Sequence, residues 1–209
     1  MNKNHQYVVV AIVALVVLFV VLYGVGNKFD YELPDFGLNS NIEKDIEFIS
    51  QAEVLGKEWN SNATLQAITM IDGAQPLGIK ENRRIAVFGE KGESKHFLIK
   101  STKDGHFLPE ENETVSIDTS STLVLGEFKV SSQKAFDKAH KKARKIKANG
   151  EDKVSINLTL IDDNGRLVWS YLLIVERKNI LEGEPAGTVL FVTLDARSGR
   201  ILNEQQENL

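Results

Sequence analysis

Residues 166–176 read RLVWSYLLIVE, and this stretch decides the fold. Leu167, Trp169, Tyr171, Leu173 and Val175 fall on one side of an extended chain, and Val168, Leu172 and Ile174 on the other. Successive side chains of a strand point to opposite faces of its sheet. A strand that is apolar on both faces is covered on both. The stretch therefore predicts a central strand, with a helix on one face and a further layer or a partner on the other.

The flanking residues supply its neighbours. Residues 153–161 (KVSINLTLI) and 188–195 (TVLFVTLD) are rich in β-branched and apolar residues. Asp162-Asp163-Asn164-Gly165 predicts a tight hairpin, because Asn-Gly suits the positive φ angles of its centre. A turn over 196–199 leads into 200–202, with Asp195 and Gly199 as turn-shaping residues. Upstream, Ser131 reads as the cap of a helix over 132–148 that Asn149-Gly150 ends. Ala135, Phe136, Ala139, Ala143 and Ile146 form its apolar stripe, and seven cations, Lys134 to Lys147, cover the rest.

The preceding part of the chain has the same layout. Ser40-Asn41-Ile42-Glu43 has the form of a capping box, followed by a helix of about 41–58 with Ile42, Ile46 and Ile49 at helical spacing. Strands are expected at 64–72, 84–88 and 96–101, with a Gly105 turn before a further short run at 106–108. A polar boundary at 109–121 and a short strand at 123–128 separate the halves. The caps Ser40 and Ser131 lie 91 residues apart, and Thr69-Met70-Ile71-Asp72 matches Thr159-Leu160-Ile161-Asp162 at 90. Matching segments in the same order point to duplication. The expected architecture is α+β: an N-terminal transmembrane helix, then two tandem units, each a helix packed on a small antiparallel sheet. The expected divisions are a cytoplasmic 1–6, a span 7–26, a tether 27–39, a first unit 40–110, a linker 111–129, a second unit 130–205 and a tail 206–209.

The span is read from residues 7–25, YVVVAIVALVVLFVVLYGV, which hold no charge. At about 1.5 Å per residue such a helix crosses a hydrocarbon layer of about 30 Å. Lys3 ahead of it gives a slight positive-inside bias, which places the N-terminus in the cytoplasm and the C-terminal domain outside a cell membrane crossed once.

Composition excludes several functions. The 209 residues carry a formal net charge of −4, which disfavours nucleic acid as a partner. There is no cysteine, so disulfides, thiol nucleophiles, Cys-ligated zinc and a lipid-bearing Cys are excluded. The four histidines, His5, His96, His106 and His140, show no zinc-protease spacing. Ser131-Ser132-Gln133-Lys134 fits S-x-x-K, but a helix cap accounts for the serine and a solvated face for the lysine. Asp162, Asp163 and Asn164 lack the Glu that a calcium loop needs. No catalytic, metal or cofactor site is expected.

Three segments carry a family resemblance. They are the helix opening Val130-Ser131-Ser132-Gln133-Lys134-Ala135-Phe136, the strand residues Trp169-Ser170-Tyr171, and the ending Val192-Thr193-Leu194-Asp195-Ala196-Arg197-Ser198-Gly199-Arg200-Ile201-Leu202. Together they resemble a PepSY domain over 130–205, with a weaker copy over 40–110. The first half departs at its ending, where Ser101-Thr102 stands for Asp195-Ala196. The resemblance implies an α+β module outside the cytoplasmic membrane that binds or restrains a peptidase or cell-wall hydrolase, with no shared catalytic residues. The expected function is thus a membrane-anchored, non-catalytic protein-binding module. Trp169, Lys138, Lys141 and Lys145 are its candidate partner contacts, and Asp195, Gly199 and Gly105 its structural turns. Two alternatives stand beside it. One is an envelope protein that binds polymer or lipid through the Lys-rich helix face, and the other is a hydrolase with an unrecognised site.

Overall fold

The computed structural model describes residues 40–75, 84–90, 96–101, 107–112, 122–123, 128–146, 148, 152–178 and 185–209. Among these, two helices and eight strands follow one order twice: a helix, then four strands. The first half holds α1 (Ile42–Trp59), β1 (Thr64–Gln75), β2 (Ile85–Gly89), β3 (His96–Ser101) and β4 (Phe107–Asn112). The second holds α2 (Ser132–Ala143), β5 (Lys153–Asp162), β6 (Leu167–Glu176), β7 (Gly187–Asp195) and β8 (Ile201–Asn208).

All eight strands form one antiparallel sheet in the order β4-β3-β2-β1-β5-β6-β7-β8. This corrects the expected architecture. Two separate helix-on-sheet units are not formed, because β1 and β5 pair along eight register positions and join both halves into one sheet. A strand left at the edge of a small sheet exposes a row of unpaired N–H and C=O groups. Pairing β1 with β5 satisfies both rows at once.

The expected membrane helix is corrected as well. No helix among the described residues is long and apolar enough to cross a membrane. The longer one, α1, has 18 residues and carries Glu43, Lys44, Asp45, Glu47, Glu53, Lys57 and Glu58, too many charges for a hydrocarbon layer. Residues 7–26 lie outside the described residues. Attachment through one N-terminal helix, single-pass topology and the sidedness built on Lys3 are withdrawn with it. The Gly105 turn also lies outside the described residues.

Both helices cover the same face of the sheet, and one core unites them. Phe48, Ile49 and Ala52 of α1 and Ala135, Phe136 and Ala139 of α2 share it with Met70, Phe88, Leu158, Trp169 and Tyr171. α1 lies over β1, β2 and β3, and α2 over β6 and β7. β6 is buried on both faces, as its residues predict. Trp169, Tyr171, Leu173 and Val175 face the helices, and Val168, Ser170, Leu172 and Ile174 on the other face are each no more than 5% exposed. Its hairpin from β5 turns at Asn164 and Gly165, with φ of 56° and 81°.

Boundaries shift in places. α1 is capped by Asn41, whose side chain accepts from the Lys44 N–H, one residue past the expected Ser40. α2 stops at Ala143 rather than 148. β4 continues to Asn112 through Pro109, which an edge strand tolerates. β8 runs to Asn208, so the expected tail is mostly strand.

The halves are related by an approximate two-fold axis normal to the sheet. Thr69 and Thr159, matched by the repeat, sit opposite one another in the β1–β5 ladder with their hydroxyl oxygens 3.0 Å apart. The buried positions of α1 are 45, 48, 49, 52 and 56, and those of α2 are 132, 135, 136, 139 and 143. The two sets superpose at an offset of 87. The first pair, Asp45 and Ser132, meets directly: the carboxylate accepts from the Ser132 N–H at 2.7 Å.

Candidate functional site

The second helix is fixed from beneath and charged above. Small side chains at Ala135, Ala139 and Ala143 let α2 lie close on β6 and β7. Ser131 caps it, accepting from the Lys134 N–H at 3.3 Å. The residue before the cap is tied down twice. The Val130 N–H donates to the Ala196 carbonyl at 2.9 Å, and the Trp169 indole N–H donates to the Val130 carbonyl at 2.8 Å. Lys138 reaches from the helix to the Gly199 carbonyl at 2.7 Å.

The turn that receives Lys138 is organised by Asp195. One carboxylate oxygen accepts from the Ser198 N–H at 2.6 Å and its hydroxyl at 2.7 Å. The other accepts from Nε and a terminal nitrogen of Arg166 at 2.8 and 2.7 Å. The Ser198 hydroxyl, aided by the Ser198 N–H and the Arg166 cation against an opposing burial effect, holds this carboxyl well below the usual carboxylate range. Gly199 closes the turn at φ 69°. Asp195 and Gly199 therefore stand where the sequence reading put them, as turn residues.

The other candidate chemistry is engaged in packing. Trp169 is fully buried, with Phe128 edge-on to its ring, so its expected role as a partner contact is corrected to a core role. The His140 Nδ1 lies 2.9 Å from the Tyr171 hydroxyl, and the imidazole stacks on Phe136. Burial pushes the Tyr171 hydroxyl well above the ordinary phenol value. Among the described residues no three His, Cys, Asp or Glu side chains come together as a metal site. Gln66, Ser155 and Ser170 have buried side-chain polar atoms without a hydrogen-bond partner, but they lie on three strands and do not converge.

What α2 and the turn that ends it offer to solvent is charge. Lys134, Lys141, Arg144 and Lys145 are exposed and have no ion-pair partner. Lys142 pairs with Glu204 of the edge strand β8 at 2.7 Å. Asp137, the one acid on the helix, accepts from the Gln133 amide. Of the expected contacts, Lys141 and Lys145 belong to this free cationic face, whereas Lys138 serves as a strut to the Asp195 turn.

The first helix presents the opposite sign. Glu43, Glu47, Glu53 and Glu58 are exposed and without ion-pair partners, while Lys57 is spent on the Ser61 and Ala63 carbonyls. Ile46 and Val54 are 47% and 59% exposed on the same helix. A groove of about 680 Å³ runs beside it, lined by Val54, Lys57, Leu65, Phe88 and Leu123 among others.

One site escaped the sequence reading. Asp45 is fully buried where α1 meets α2. Its carboxylate accepts from the Ser132 N–H, the Ser132 hydroxyl at 2.9 Å and the Ser40 hydroxyl. Arg84 approaches at 3.8 Å and also donates to Ser40 at 2.8 Å. A helix N-terminus carries partial positive charge and unpaired N–H groups. One carboxylate here serves the first turns of two helices. The signal in the sequence is an acid on an otherwise apolar stripe, at 45, 48, 49 and 52.

Comparison with known proteins adds little to the geometry. No family model matches the chain, and no curated protein matches it. Among solved structures it is similar to a candidate lipoprotein from Clostridium difficile 630, at 12% identity and a TM-score of 0.46, over 76% of this chain and 92% of that one.

Proposed function

We propose that this chain is a PepSY-like, non-catalytic protein-binding module that holds a protein partner, a peptidase or cell-wall hydrolase, against the basic face of α2. One observation carries the reading. Lys134 and Lys141 on α2, and Arg144 and Lys145 in the turn that ends it, stand exposed and unpaired on an element locked at its cap, its flank and its underside. A rigid array of one sign steers and orients a complementary surface at little entropic cost. Three of the groups able to do chemistry are engaged in the fold, Ser131 as a cap, Asp195 in its turn and His140 on Tyr171, and this supports a binding role over a hydrolytic one.

The test is co-purification of proteins crosslinked to the full chain, compared with the Lys141→Glu/Lys145→Glu variant. The expected result is a hydrolase recovered by the parent chain and lost with the variant. Equal recovery by both overturns the reading. The same cations would also attract an anionic polymer. Retention on such a polymer, lost in the variant and with no protein recovered, replaces the first reading by that one.

A further inference from the structure

The cationic face of α2 has a complement on the page, in α1 of the same chain. The two helices lie on one face of one sheet, on either side of the β1–β5 seam. The exposed acids Glu43, Glu47, Glu53 and Glu58 on α1 have no ion-pair partner, and neither do the exposed cations Lys134 and Lys141 on α2 and Arg144 and Lys145 in the turn after it. Within the chain the helices touch through the buried Asp45–Ser132 contact, which leaves both charged faces outward. We infer that a second copy of this chain docks on the helix layer, α1 of each copy crossing α2 of the other. This rests on the reading of the α2 face as an interaction surface, for which the second copy and the protein partner then compete.

Symmetry decides between the possible arrangements. Two copies can meet helix layer to helix layer about a two-fold axis parallel to the sheet. An axis across the strands sets α1 on α1 and α2 on α2, so that like charges oppose. An axis along the seam sets α1 over α2 in both contacts, so that each acidic face meets a basic one. Such an interface is isologous and closed, and its charge complementarity counts twice. The exposed Ile46 and Val54 have no counterpart of their own kind on α2, but the aliphatic stems of lysine and arginine cover apolar surface while their heads stay at the rim. The groove beside Val54 gives those stems a place to lie.

The experiment is sedimentation velocity on the full chain at about 50 mM and about 500 mM salt, where screening differs strongly. The expected result is a dimer at low salt that dissociates as salt rises. Glu47→Lys/Glu53→Lys/Glu58→Lys makes both helices basic, and Lys141→Glu/Arg144→Glu/Lys145→Glu makes both acidic. Each set alone weakens self-association at least about tenfold, since like faces then oppose in both contacts. An equimolar mixture of the two variants forms a heterodimer, and a chain with both sets regains the homodimer. All six positions are exposed, and circular dichroism verifies that each variant folds. A parent chain that stays monomeric at low salt overturns the inference, and so does a dimer that survives either reversal. Neither outcome touches the proposed function, which fails when Lys141→Glu/Lys145→Glu leaves recovery of a hydrolase unchanged or when an anionic polymer is retained and no protein is recovered.

Discussion

The two halves share an order of elements and a buried helical pattern, yet they spend their polar residues differently. In the first half the leading buried position of the helix is Asp45, and in the second it is Ser132. Counted from the facing pair Thr69 and Thr159, the ladder position held by Ala86 in β2 corresponds to Tyr171 in β6. The second half fills that place with a phenol that His140 and Phe136 enclose. The first leaves it small and brings Phe88 up under Gly56 instead. Halves that keep one backbone plan can thus trade bulk and charge, provided the contact at the axis is conserved in kind. That contact is one carboxylate shared by two helix N-termini. It cannot be duplicated, because two acids there would repel.

The largest expected effect comes from breaking it. Asp45→Ala removes the acceptor for the Ser132 N–H and hydroxyl and the partner of Arg84 in one step. Leaving a buried donor unpaired costs about 1–3 kcal/mol, and breaking a buried charged network costs about 3–5 kcal/mol. The loss is read as a fall in the urea midpoint, and if the two halves depend on this contact the transition also broadens or splits. An unchanged midpoint would show that the sheet alone joins the halves. Ser132→Ala sharpens the result, since it removes one of these bonds and keeps the N–H contact, so its cost is smaller.

Sequence periodicity made the strands of the second half legible and misplaced the join. β5, β6 and β7 fall within a few residues of the expected runs, because Asn164-Gly165 and the two-sided apolar pattern of β6 are local signals. That β1 pairs with β5 is not local. Either strand could equally have ended a small sheet, and alternation along a strand does not name its neighbour. In α1 the apolar rule put Ile46 inside and ignored Asp45, and the structure reverses both. The carboxylate is buried because of Ser132, 87 residues away, and Arg84, which no window along the helix contains. Cap spacing gave an offset of 91 and the buried pattern gives 87, because Ser40 lies five residues ahead of Asp45 and Ser131 only one residue ahead of Ser132. Of the expected site, the Lys141 and Lys145 positions were legible as a polar helix face. A tryptophan in a two-sided strand favours a packed place over a partner contact, and the structure buries Trp169 fully.

A smaller effect separates Gly56 from its counterpart Ala143. A Cβ built on Gly56 would stand 2.6 Å from two ring carbons of Phe88, which is itself 1% exposed. Either the buried ring or the helix must shift to admit the methyl, so Gly56→Ala is expected to cost about 1–3 kcal/mol despite alanine's better helix propensity. Ala143→Gly has no such contact to relieve, and it loses a buried methyl as well as up to about 1 kcal/mol of helix propensity. Alanine is thus unfavourable at one position and favourable at its equivalent. Thermal denaturation of the two single variants tests this. A stabilised Gly56→Ala would mean that α1 can lift from β2 without penalty.

At neutral pH the smallest of these effects belongs to Asp195, and its value lies in its pH dependence. The Ser198 bonds and Arg166 lower the folded carboxyl below its unfolded value of about 3.9. A group with a depressed folded pKa contributes stability that is fully present above the unfolded pKa and is lost as pH falls through the folded one. Asp195→Asn lacks that contribution at every pH. The gap in urea midpoint between parent and variant should therefore be constant from about pH 7 to about pH 5, and narrow steadily below about pH 4. Asn can still accept from Ser198, so what disappears is chiefly the charge and its pairing with Arg166. The first half has Ser101-Thr102 in place of Asp195-Ala196. A gap that stays constant down to about pH 2 would remove Asp195 as the origin of any acid sensitivity.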